Sequence, residues 1–257
     1  MRKTALIALG ILLAGVIVYV YLREPPLNQI PKKGTPFCTL LPSSILYGIS
    51  HDTVTWVGRK TLYWDKKSEL RIYFYGGADT LRKKVMKIAQ TWAGLSGLRF
   101  RQVTSLYDSA EIRISFTCPG YNSLVGKENL QTRNLRIPTM CLEGLDTLKD
   151  QPLFTRTVLH EFGHVMGLFH ELQSPAAFIP WDTGKLYAYY EREYNWKPDS
   201  VDKWVLQLYE SVEHSDFDDR SIMLYAVPDE VTKGRFEISW PDKLSQRDTG
   251  FLLSNYK

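Results

Sequence analysis

Residues 160–171 read HEFGHVMGLFHE, a pattern of types and spacings that could hold one metal ion and use it for hydrolysis. A helix turns once in about 3.6 residues, so His160 and His164 project from one face, with Glu161 one position round. Gly167 follows, and glycine adopts left-handed backbone conformations without steric cost, so it can end a helix abruptly. The chain can then turn back and bring His170 to the same ion. Three neutral nitrogen ligands leave the fourth tetrahedral position of zinc for water, which distinguishes a catalytic from a structural site. Glu161 is placed to take that water's proton. The sequence therefore points to one catalytic zinc ion on His160, His164 and His170, with Glu161 as general base.

The pattern H-E-x-x-H-x-x-G-x-x-H resembles the metzincin clan of zinc endopeptidases, and Glu171 directly after the third histidine resembles the astacin family within it. Ser221, Ile222, Met223, Leu224 and Tyr225 are similar to the clan's methionine turn. That resemblance implies that Met223 lies beneath the imidazoles as an apolar floor and that the Tyr225 hydroxyl reaches the zinc or the substrate oxyanion. Methionine is a polarizable, adaptable filler, and a phenol can donate to charge developing on a carbonyl oxygen. Residues 120–127 are similar to the G-x-x-S-x-V-G-K/R stretch that forms the upper edge strand of the astacin cleft. Such an edge can take an extended peptide as one more strand, which makes Ser123, Leu124 and Val125 candidate substrate-binding residues. After Glu171 the chain continues Leu172, Gln173, Ser174, Pro175, a form similar to astacin-like peptidases of bacteria and fungi.

These groups need elements to position them. In residues 69–75, Leu70, Ile72 and Phe74 alternate with Arg71, Tyr73 and Tyr75, a strand pattern that Gly76 and Gly77 end. Residues 79–95 carry Leu81, Val85, Ile88, Ala89 and Trp92 at helical spacing, with Asp79 or Thr80 as the expected cap. Leu98, Phe100 and Val103 suggest a further strand, and Ile112, Ile114 and Phe116 would share the buried face of another. Residues 156–167 supply the ligand helix. The resemblance implies an α+β fold: a metzincin catalytic domain with a twisted mixed sheet, long helices above a zinc cleft, and a mostly irregular or helical lower subdomain. The aromatic run Tyr187, Tyr189, Tyr190, Tyr194, Trp196 and Trp204 reads as core packing. Asp216, Asp218 and Asp219 fit no EF-hand loop and read as structural. Residues 244–256 resemble the L-S-x-x-D helix that closes the family's catalytic domain.

The chain has 257 residues and a net charge of +4, with basic residues scattered and not gathered into a stripe, so no nucleic-acid partner is expected. Arg2 and Lys3 precede an apolar run over residues 5–22 that is long enough to cross a bilayer. It lacks the short core and small-residue end of a cleaved signal peptide, and reads as an uncleaved signal anchor with the remainder outside the membrane. Either form implies export. Residues 24–60 hold five prolines up to Pro42 and suggest a stalk, which leaves 61–257 as the catalytic domain. Among Cys38, Cys118 and Cys141, an oxidising compartment would permit a 118–141 bridge, and the sequence leaves the pairing open. The expected activity is endoproteolysis of a protein or peptide. The alternative is a catalytically retired or highly selective zinc-containing envelope binding protein, against which every catalytic position is intact.

Overall fold

Alternating and helical apolar patterns generate a five-stranded mixed sheet with helices packed on it. The computed structural model describes residues 58, 60–132, 134–209 and 213–257, all within one compact unit spanning residues 31–257. The apolar run at 5–22, nearly all of the proline-rich stretch, and Cys38 lie outside the described residues.

Strand β1 (Glu69–Tyr75) buries Leu70, Ile72 and Phe74 and leaves the intervening residues half-exposed, as its alternation requires. Helix α1 (Asp79–Ser96) buries Val85, Ala89, Trp92 and Ala93, and ends at Gly97 in the left-handed region. Its cap differs from expectation. Ala78 occupies that position without a side-chain bond, and Asp79 is already helical, with its carboxylate paired to Lys83 at 2.6 Å near the helix's positive end.

The sheet order is β2 (Arg99–Gln102), β1, β3 (Ile112–Ser115), β5 (Met140–Leu142) and β4 (Tyr121–Ser123). The first four run parallel, and β4 pairs antiparallel to β5 at the edge. In β3 the alternation pattern underestimates burial, because all four residues are buried and not one face alone. Arg113 is 2% exposed and donates to the carbonyls of Ala110, Thr132 and Ile137, so its charge faces acceptors within the fold.

Helix α2 (Gln151–Val165) begins five residues earlier than the 156 start read from sequence, because the Asp150 carboxylate accepts from Leu153 N–H at 3.0 Å and Pro152 fits the first turn. Trp92, fully buried, donates from its indole to Leu159 O at 2.9 Å and fastens α1 to α2. All five sheet strands precede α2. The remainder is helical or irregular: α3 (Thr183–Tyr194), the single turn α4 (Pro198–Val201) and α5 (Gln246–Tyr256), with Tyr190 and Trp196 buried in the core. Asp218 is structural, its carboxylate accepting from Ser245 Oγ and Arg220 N–H.

Candidate metal centre

His160 and His164 lie one turn apart on the inner face of α2 and are 5% and 0% exposed, with His170 at 3%. The third histidine reaches them because the chain turns sharply just after α2, at Gly167, whose φ is +95°. A side chain there would be strained, and its Cβ would also stand 2.7 Å from the Tyr63 ring, so glycine is required twice over. The Leu168 N–H bonds Gly163 O at 3.1 Å, and His170 then resumes an extended conformation pointing back at α2.

Two of the rings are oriented by backbone carbonyls. His160 Nδ1 lies 2.8 Å from Ile222 O, and His164 Nδ1 lies 2.7 Å from Leu168 O. A carbonyl only accepts, so Nδ1 carries the proton in both and Nε2 presents a lone pair. This is the outer-shell arrangement that metal-bound histidines require. The three imidazoles bring ligand atoms within 4.8 Å of one another, and His164 Nε2 and His170 Nε2 are 3.2 Å apart. Nitrogens on one tetrahedral zinc would be about 3.3 Å apart at usual bond lengths. His160 Nε2 is buried with no hydrogen-bond partner among the described residues, a position that a cation would satisfy. Burial pushes the His160 pKa down to about 4, and burial with the neighbouring imidazoles holds His164 and His170 well below their ordinary value. Neutral rings are what a metal needs. The donor set therefore fits zinc.

Glu161 is 1% exposed and lines a small cleft with Tyr121, Arg156, Thr157, His160, Leu224, Tyr225 and Trp240. The Tyr225 hydroxyl hydrogen-bonds His170 Nε2, which puts the phenol beside the ligand atoms. Met223 is 1% exposed, with its sulfur packed close against Gly163 of the ligand helix. Its carbonyl accepts from Glu171 N–H at 3.2 Å, tying the turn to the residue after the third ligand. Glu171 itself accepts from Asp218 N–H at 3.0 Å, and burial pushes its carboxyl up to about 7.

The edge strand meets the cleft through Tyr121. Backbone bonds join Leu124 N to Thr139 O and Glu143 N to Gly120 O, so antiparallel alternation turns Tyr121 and Ser123 outward and Leu124 inward. Val125 N–H is taken by Glu128 Oε2 at 3.2 Å. Of the three residues read from sequence, Ser123 alone turns its main chain away from β5, and all three are buried, at 0%, 1% and 2% exposure. Cys118 and Cys141 form a disulfide with Cα atoms 5.6 Å apart, joining the loop before β4 to β5.

Three contributors were not singled out from sequence. Gly163 inside the ligand helix carried a signal, since glycine there weakens a helix by about 1 kcal/mol relative to alanine and so needs a packing reason. Arg156 stands one turn before His160, which places it on the cleft side by helical period. Its guanidinium stacks 4.0 Å from the Trp240 ring, and nothing in the sequence around Trp240 marks that contact.

Among solved structures, a structure of myroilysin is 32% identical with a TM-score of 0.72, covering 76% of this chain and 96% of that chain. A second crystal structure of myroilysin is 29% identical with a TM-score of 0.62, covering 91% and 97% respectively. High choriolytic enzyme 1, a hatching-enzyme zinc-protease of the medaka fish Oryzias latipes, is 14% identical with a TM-score of 0.50. It covers 77% of this chain and 96% of that chain, a likeness of fold alone. No family model matches the chain, and no curated protein does.

Proposed function

The chain belongs to the astacin family of zinc metalloproteases, and from that premise we propose that His160, His164 and His170 hold a single catalytic zinc ion served by Glu161 and Tyr225. The protein is a zinc-dependent endopeptidase, and its substrates are proteins or peptides. The observation that carries the residue assignment is the buried, orphaned Nε2 of His160 beside two further imidazole nitrogens.

Bound there, zinc supplies Lewis acidity, polarising a carbonyl and lowering the pKa of a water from about 15.7 to about 7. Glu161, next to His160 in the cleft, accepts the proton of the attacking water and passes it to the leaving amine. The Tyr225 phenol donates to the oxygen of the scissile carbonyl as charge develops on it. Ile222 O and Leu168 O fix the ring orientations that keep both groups in register. Tyr121, which lines the cleft and turns its main chain away from β5, is the strand residue placed to pair with an extended substrate, with Ser123, Leu124 and Val125 buried behind it. Burial of Glu161 keeps bulk water from competing for its proton.

The test is Glu161→Gln. The variant should bind one zinc per chain and lose cleavage of casein and of peptide substrates. Unchanged turnover would remove Glu161 from the mechanism. A retired binding protein is not favoured, since the general base and all three ligands are present.

Export of the catalytic domain, tethered by residues 5–22, completes the reading. It is supported by the basic flank Arg2 and Lys3 and by the Cys118–Cys141 disulfide, a bond of oxidising compartments. Among the described residues no helix is long and apolar enough to cross a membrane, so the tether rests on the N-terminal sequence. Retention in the membrane pellet after alkaline carbonate, with loss on deletion of residues 5–22, is the expected result.

A further inference from the structure

Helix α5 is fastened at both ends to the two segments that shape the metal centre. At its start the Asp248 carboxylate, 4% exposed, accepts from Ile222 N–H at 2.9 Å and from the Ser221 hydroxyl at 2.8 Å. Ile222 O is the acceptor that orients His160, and the Ser221 hydroxyl oxygen accepts from Met223 N–H at 3.1 Å. One carboxylate thus stands two hydrogen bonds from a metal ligand and two from the main chain of Met223. At the far end Tyr256, 2% exposed, donates to Met166 O at 2.7 Å, and Trp64 donates to the adjoining Val165 O at 2.7 Å. Those carbonyls belong to the last turn of α2, where a helix has no partners of its own.

Helix capping alone does not account for these bonds. Asp248 closes a capping box by accepting from Ser245 N–H at 2.8 Å, and its bonds to Ser221 and Ile222 are additional. Burial pushes the carboxyl's pKa up, and the amides of Ile222 and Ser245 with the Ser221 hydroxyl oppose that. A buried acid with three donors converging on it is a fixed joint, since any displacement leaves polar groups unpaired.

We propose that α5 braces the zinc site, with Asp248 and Tyr256 as positioning residues that hold the 221–225 turn and the end of α2 at a fixed separation. The proposal rests on the zinc reading of His160, His164 and His170. Neither residue is one of the three histidines or lines the cleft with Glu161. The brace acts on zinc affinity by keeping His160 aimed through Ile222 and the 221–225 turn in place, so ligand geometry depends on a helix far along the chain.

The test uses the full chain, with zinc affinity measured by chelator competition and melting recorded with and without zinc. Asp248→Ala should weaken zinc by roughly 10- to 100-fold, the range seen when outer-shell partners are lost. Its melting point should fall further with zinc than without, because a 30-fold affinity loss is about 2 kcal/mol of stability present only in the loaded protein. Asp248→Asn, which keeps an acceptor for Ile222 and offers a donor to Ser221, should recover most of that affinity. Tyr256→Phe, which keeps the ring, should weaken zinc by roughly 3- to 10-fold. Equal melting losses with and without zinc, at unchanged affinity, would overturn the brace, and Tyr256→Phe decides it if Asp248→Ala does not fold. A wild-type chain that binds no zinc would instead overturn the zinc reading itself.

Discussion

Alanine at position 163 sets two effects of opposite sign against each other in the middle of the ligand helix. Helical propensity alone makes Gly163→Ala favourable by about 1 kcal/mol. Packing opposes it. A Cβ at residue 163 would lie 2.3 Å from Met223 Sδ, 3.3 Å from Met223 Cε and 3.2 Å from Trp92 Cζ2. Trp92 is fully buried and held by its bond to Leu159 O, so it cannot yield. Met223 must move, and at 1% exposure it has no open space to move into. Forced repacking of a full core costs about 1–3 kcal/mol, and two engaged neighbours put this case in the upper half. The net is a loss of about 1–2 kcal/mol, or a melting point lower by ~2–8 °C for a domain of this size.

The assay is thermal unfolding of Gly163→Ala alone and in a Met223→Ala background. With the Met223 side chain removed, the 2.3 Å contact goes and only the 3.2 Å approach to Trp92 opposes the helical gain, so the penalty should shrink by at least about 1 kcal/mol, to near neutral. A rise in melting point for the single variant, or an equal penalty in both backgrounds, would refute the packing argument. Zinc affinity should fall in the single variant as well, because displacement of Met223 shifts the carbonyl that Glu171 N–H binds beside His170.

Two further outcomes follow from the same geometry. Tyr225→Phe should lower kcat by roughly 100-fold while zinc stays bound, as expected for one donor to a developing oxyanion, and a metal-free variant would show that the hydroxyl acts on ligation instead. Replacing Cys118 and Cys141 together by serine, read by denaturant unfolding, should remove about 3 kcal/mol for a loop spanning 23 residues, and an unchanged midpoint would mean that the bridge does not constrain the unfolded chain.

The metal ligands were legible because their chemistry is written within one stretch, where helical period and a single glycine suffice to bring His160, His164 and His170 together. Strand β1 and helix α1 were legible for a similar reason, since each repeats its pattern over several turns or pairs. Strand β5 was not. Met140, Cys141 and Leu142 make a three-residue strand too short for any period, and it exists because β3 and β4 flank it. Arg113 reads as a solvent-facing position in an alternating strand, yet the sheet is covered on both faces there and three carbonyls receive its donors. Helix α2 starts a further turn before the point that the histidine motif's own period requires, and its start is marked by the Asp150 cap and Pro152 in the first turn.

What sequence spacing leaves out is the orientation of His160, which, unlike that of His164, is decided over a long distance. His160 is aimed by a carbonyl 62 residues away, and that carbonyl belongs to a turn held by a carboxylate a further 26 residues on. Each hydrogen bond in this series is worth only about 0.5–1.5 kcal/mol net, so no single one enforces the geometry. Their effect comes from being buried and joined, so that loosening one leaves an unpaired group in the next. A local motif can therefore specify which atoms bind the metal, while how tightly they bind is a property of the whole lower half of the domain. Substitutions far from the histidines, at Ser221, Asp248 or Tyr256, should accordingly change zinc affinity more than exposed substitutions only a few residues from the motif.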